Sequence, residues 1–205
     1  NQITTVLQEK YGEEFKCDSI GNRFGTATND TVTGYCYPTE DSSVLFKVVM
    51  NKDGHLVEDT FIPSYVSNLL ENAIVEEFQT QKVIAHVNAS VYGYEEINKF
   101  SSVKDLTINN FLQEESGSKF SAHIIIDESS GMEKLGASIN DVYLKISEKY
   151  PQLSLGAQIK IISDTDFLEC AKAMDASPTV SKTLFAKYYV KGGVIVGIQN
   201  GIPTK

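Results

Sequence analysis

Residues 43–61 read Ser-Val-Leu-Phe-Lys-Val-Val-Met-Asn-Lys-Asp-Gly-His-Leu-Val-Glu-Asp-Thr-Phe. Val44, Phe46, Val48 and Met50 recur every second residue, the period of a strand with one face buried. Asp53-Gly54 then turns the chain: glycine tolerates positive φ, and aspartate bonds its own backbone. Residues 56–60 return as the partner strand. This stretch predicts a β-hairpin and specifies no chemistry.

Outward from the hairpin, the pattern alternates between the two periods. On its C-terminal side, Pro63 suits a first helical turn. Val66, Leu69, Leu70, Ala73, Ile74 and Phe78 fall at i, i+3, i+4, i+7, i+8 and i+12, an amphipathic helix. On its N-terminal side, residues 3–14 predict a short helix, 15–20 an extended segment, and 24–28 and 31–37 two strands about an Asn29-Asp30 turn. Pro38 stops the second of these. Residues 1–80 therefore predict a helix, an antiparallel sheet and a second helix.

Residues 81–205 predict a further unit. Residues 83–92, 120–126 and 155–162 read as strands, with a short helical stretch over 103–112. Met132, Leu135, Ile139, Val142, Ile146 and Tyr150 mark a strong helix ended by Pro151. Asp164 is placed to cap a helix carrying Phe167, Leu168, Ala171 and Met174. Residues 184–190 and 194–198 predict a closing hairpin about Lys191-Gly192-Gly193, leaving an irregular tail. The expected fold class is α+β, two consecutive mixed units of helices and antiparallel sheet, 1–80 and 81–205.

Composition narrows the function classes. With 205 residues, 41% hydrophobic and 22% charged, the chain is long enough to bury a core without staples. A formal net charge of −9 and no basic cluster longer than a pair argue against nucleic-acid binding. No apolar run approaches the ~18 residues of a membrane span. The chain begins Asn-Gln-Ile, so membrane attachment is expected only through a removed N-terminal anchor.

The three cysteines are Cys17, Cys36 and Cys170. Measured from a turn at Asn29-Asp30, Cys36 falls opposite Arg23 and too far from Cys17 to bridge. A bulge leaves a 17–36 pair open. Cys170 belongs on a helix. Their spacing matches no zinc motif.

For chemistry, the sharpest run is Ile124-Ile125-Ile126-Asp127-Glu128-Ser129-Ser130-Gly131. A carboxylate after a buried strand, followed by hydroxyls, resembles the Asp-x-Ser-x-Ser metal loop of von Willebrand A domains. Asp127 and Ser129 match that loop, while Gly131 departs from its last serine. Helix capping by the same residues is the competing reading. His86 and His123 both lie on strands and would pair if those strands are neighbours. Asp127 with His86 or His123 is the alternative function, a metal-dependent hydrolase. The Gly-x-Ser-x-Gly elbow, the HExxH helix and the phosphate-binding fingerprints are all missing from the sequence, and no cofactor is expected. The tyrosines are the better binding candidates: Tyr35, Tyr37, Tyr92 and Tyr94 punctuate strands and loops, and exposed tyrosine supplies both an apolar face and a hydroxyl.

Tyr11-Gly12-Glu13-Glu14-Phe15, Gly25-Thr26, Tyr35-Cys36-Tyr37-Pro38 and the hairpin together resemble secreted or lipid-anchored proteins of Gram-positive bacteria whose roles are uncharacterised. The resemblance covers about the first eighty residues and implies an extracytoplasmic domain. The expectation is a non-enzymatic binding module, at the cell surface or secreted, for a protein or small-molecule partner.

Overall fold

The computed structural model describes residues 2–21, 30–94, 100, 102–177 and 180–204. Two compact units are present, residues 1–68 with 96–106 and residues 69–95 with 107–205. The expected strand 24–28 and the Asn29 side of its turn lie outside the described residues.

In the first unit, α1 (Gln2–Tyr11) precedes β1 (Phe15–Gly21), β2 (Thr31–Pro38), β3 (Phe46–Asn51) and β4 (Leu56–Asp59). The strands form an antiparallel meander in chain order. The quoted stretch supplies β3 and β4, and Gly54 takes φ +83° at their turn. Val44, Phe46, Val48 and Met50 are all buried, as their spacing demands. The next helix, α2 (Phe61–Thr80), begins two residues before Pro63. Pro63 is thus the third helical residue, where its missing N–H costs nothing, because the first four amides lack intrahelical acceptors.

The core of this unit is aromatic. Phe61 lies 4.8 Å from Tyr11, 5.0 Å from Phe15 and 4.9 Å from Phe46, centroid to centroid. Burying each such ring contributes about 1.5–3 kcal/mol. Asp59 sits at its edge, 5% exposed, and accepts from the Tyr11 hydroxyl at 2.7 Å and from Lys10 Nζ at 2.8 Å. Its Oδ1 also receives the Phe61 N–H at 3.1 Å, opening α2.

One expectation is corrected here. Cys17 and Cys36 form a disulfide, their Cα atoms 4.0 Å apart as a directly opposed pair of β1 and β2. The pairing runs from Gly21 opposite Thr33 and shifts at an irregularity between Cys17 and Ser19, so that Cys36 stands opposite Cys17 rather than opposite residue 23. That irregularity moves the partner of Cys36 by one residue, from Asp18 to Cys17.

The second unit contains β5 (Ala85–Tyr92), α3 (Ile108–Glu114), β6 (Lys119–Asp127), a 3-10 turn (Glu128–Ser130), α4 (Met132–Lys149), β7 (Leu155–Ile162), α5 (Asp164–Asp175), α6 (Lys182–Phe185), β8 (Val190–Gln199) and β9 (Ile202–Thr204). The strands stand in chain order in one sheet. All neighbours are antiparallel except β6 and β7, which run parallel. The long α4 crossover returns the chain to the same end of the sheet, which makes a parallel neighbour possible. The fold class is α+β.

One sheet face carries Phe120, Ala122, Ile124, Ala157 and Ile159, all buried. Leu135, Ile139, Val142 and Ile146 are the buried stripe of α4, and α3 contributes Phe111, 6.5 Å from Phe120. The opposite face is only half covered. There Ile125 and Ile162 pack with Phe167, Cys170 and Met174 of α5 and Phe185 of α6.

The C-terminal strands depart from expectation. Lys191-Gly192-Gly193 is not a turn but part of β8, which runs unbroken from Val190 to Gln199. A Cβ on Gly193 would stand 2.7 Å from the Ile159 carbonyl oxygen, so glycine there permits close strand approach. Residues 182–185 are helical, and the closing hairpin joins β8 to β9 about Asn200-Gly201. Those residues take φ +48° and +72°, the pair of positive values that a two-residue I′ turn requires. Asp164 is the first residue of α5 rather than its cap; Ser163 holds that position.

Candidate functional site

The uncovered half of the second sheet follows from strand register. Ser90 lies opposite Ser121, Ser121 opposite Gly156, Gly156 opposite Gly197, and Gly197 opposite Thr204. Five small residues, one from each strand, therefore form a lane across the sheet, perpendicular to its strands. Four interstrand steps give it a length of about 19 Å. Ser90 and Ser121 bond through their hydroxyls at 2.9 Å.

Taller side chains stand on both sides, because strand neighbours two residues away share a face. One wall runs Asn88, His123, Gln158 and Ile195; the other holds Tyr92 beside Lys119 and Gln199 beside Ile202. Toward β9 the lane opens into a groove of about 570 Å³, floored by Gly156, Gly197 and Thr204 and flanked by Tyr92, Lys119, Gln199 and Ile195, while Ser90, Ser121, His123 and Gln158 lie beyond its lining. Its apolar groups stand in solvent: Tyr92 is 51% exposed and Ile195 74%. At the lane's inner border, the His123 ring lies 6.0 Å from that of Phe185, tilted by 40°. Burial, with Lys160 nearby, holds His123 below the ordinary imidazole range.

The remaining expected residues are placed as follows. Tyr35 and Tyr37 lie partly exposed on the outer face of the first sheet. Tyr35 is opposite Lys47, and the Tyr37 hydroxyl donates to Asp18 at 3.2 Å. Tyr94 follows the end of β5. Asp127 accepts the Ser129 N–H at 2.8 Å and so caps the 3-10 turn, while the Ser130 hydroxyl accepts the Ile84 N–H at 2.9 Å.

His86 and His123 do belong to neighbouring strands and share a sheet face. They are diagonal rather than opposite, since His86 faces Ile125 and His123 faces Asn88. His86 Nε2 lies 2.9 Å from Asp175. Among the described residues, no group of three or more His, Cys, Asp or Glu side chains is arranged to hold a metal ion.

One group went unremarked in the sequence, and a second was placed there without its environment. Glu71 on α2 accepts the Ala89 N–H of the edge strand β5 at 2.7 Å. Burial outweighs that bond and pushes its carboxyl up to about 7, with Asp175 adding to the rise. Cys170 is a buried free thiol, pushed up to about 11 by burial and then by Asp166. Such a thiol is a poor nucleophile.

No family model matches the sequence, and no curated protein matches it. Among solved structures, the fold is similar to that of a DUF5037 family protein from Ruminococcus gnavus ATCC 29149. The TM-score is 0.63 at 17% identity, over 100% of this chain and 93% of that one. At that identity, the likeness is one of fold.

Proposed function

We propose that this chain is a non-enzymatic, extracytoplasmic binding module, secreted or lipid-anchored, that uses the groove across its second sheet to hold a ligand or partner. The carrying observation is the groove itself: a polar lane left open between exposed Tyr92 and Ile195, on a rigid five-stranded platform. Binding sites placed on strands are held more firmly than sites on loops. The Cys17–Cys36 disulfide supports an oxidising location, where such bonds persist. Among the described residues, no helix is long and apolar enough to cross a membrane, so attachment would rest on an anchor outside them.

Fractionation of the producing cells tests the location. The chain is expected outside the cytoplasm with Cys17 and Cys36 joined; recovery in the cytosol with both thiols free would contradict it.

A metal-dependent hydrolase remains the rival, favoured by one observation: Asp127, His86 and His123 all project from one face of β5 and β6. Against it, Asp127 is engaged in its cap and His86 with Asp175. Calorimetry with calcium, magnesium, manganese and zinc separates the two. The binding-module reading expects no heat, and tight binding lost in Asp127→Asn would favour the hydrolase.

A further inference from the structure

We infer that the groove takes a neutral, linear carbohydrate, laid across the strands from Tyr92 toward β9. This rests on the groove being the recognition surface proposed above, and three features of the site select the ligand class.

The first is the state of the main chain. β6, β7 and β8 are each paired on both sides, so their amides and carbonyls are engaged in the ladder. A peptide added as an extra strand runs along a free edge and uses those groups. A ligand lying crosswise meets only side chains.

The second is the chemistry of those side chains. In the groove Thr204 offers a hydroxyl and Gln199 an amide that both donates and accepts, and the lane continues past the groove to Gln158 and the mutually bonded Ser90 and Ser121 hydroxyls. Sugar hydroxyls also donate and accept, and they occur in adjacent pairs that an amide can bridge. A peptide backbone instead presents widely spaced, single-function groups. Tyr92, half exposed at one end, offers a ring face to the C–H face of a pyranose. Gly156, above which nothing stands within 4 Å of a Cβ position, lets a flat ring approach the sheet closely, and the Thr204 hydroxyl stands over neighbouring Gly197 as a polar partner.

The third is charge. The charged side chain on the walls is Lys119, and it stands within a chain of net charge −9 that opposes any polyanion. Neutral polymers are therefore favoured over phosphate- or sulfate-rich ones.

Gly156 provides the test. A Cβ added there meets nothing within 4 Å, so Gly156→Val starts from open space and projects its side chain into the lane. Isothermal calorimetry would use tetrasaccharides of β-1,4-linked glucose, β-1,4-linked xylose and α-1,4-linked glucose, and separately a pool of random octapeptides. The expected result is binding of at least one tetrasaccharide, weakened about tenfold or more in both Gly156→Val and Tyr92→Ala. Unchanged melting curves would show that both variants fold. No binding by any tetrasaccharide overturns the carbohydrate assignment. If the peptides then bind and Gly156→Val abolishes it, the groove stands as a recognition surface and only the ligand class fails. Tetrasaccharide binding that is indifferent to Gly156→Val overturns the groove itself.

Discussion

Glu71 shows how one buried carboxyl can make stability depend on pH. Its pKa rises to about 7 because desolvation outweighs the stabilising bond from Ala89 N–H. A carboxyl raised in the folded state binds its proton more tightly there than in the unfolded chain. Its contribution is therefore full below the ordinary carboxylate range and lost as pH climbs through about 7, worth at most about 3 kcal/mol. Asp175 adds to the rise, and its carboxylate lies 2.9 Å from His86 Nε2. Glu71→Gln keeps an acceptor for Ala89 and removes the titration. Melting curves of this variant are expected to vary less between pH 5 and pH 8, a window spanning the raised pKa, than those of the parent. An unchanged profile would place the pH dependence elsewhere.

At the scale of the element, the disulfide joins β1 to β2 across a sequence separation of 19 residues. Closing a loop of that size stabilises by about 3 kcal/mol through the unfolded chain. Cys17→Ser with Cys36→Ser should lower the stability of the first unit by about that amount in urea titrations. Thiol labelling of the native parent should find no reactive cysteine, and the unfolded parent should show one, Cys170.

Most elements were legible from period alone. Val44, Phe46, Val48 and Met50 and most of the α2 and α4 stripes are buried where their spacing put them, because one solvent-shielded face imposes the pattern; Met132, at the start of α4, is instead half exposed. The closing hairpin was misplaced because Gly192-Gly193 looks like a turn, although its glycines serve strand contact against Ile159. The better signal was Asn200-Gly201, the dipeptide that I′ turns prefer. The 17–36 bridge was obscured for a related reason: register depends on where pairing starts, and one irregularity moves every partner.

For the whole molecule, what could not be read was the groove. Ser90, Ser121, Gly156, Gly197 and Thr204 are unremarkable individually and widely separated in sequence. They become a lane only when four strand registers are set together. Tyr92 was singled out by residue type and does stand on its wall, whereas Tyr35 and Tyr37 mark the outer face of the other sheet. Two tyrosine-bearing surfaces therefore compete as recognition faces, one on each unit. Amide-resolved NMR titration of the intact protein with the tetrasaccharides decides between them most directly. The account predicts shifts concentrated at Ser121, Gly156, Gly197 and Thr204, with the first sheet unmoved. Shifts gathered instead around Tyr35 and Tyr37, or around Asp127 and His86, would contradict it.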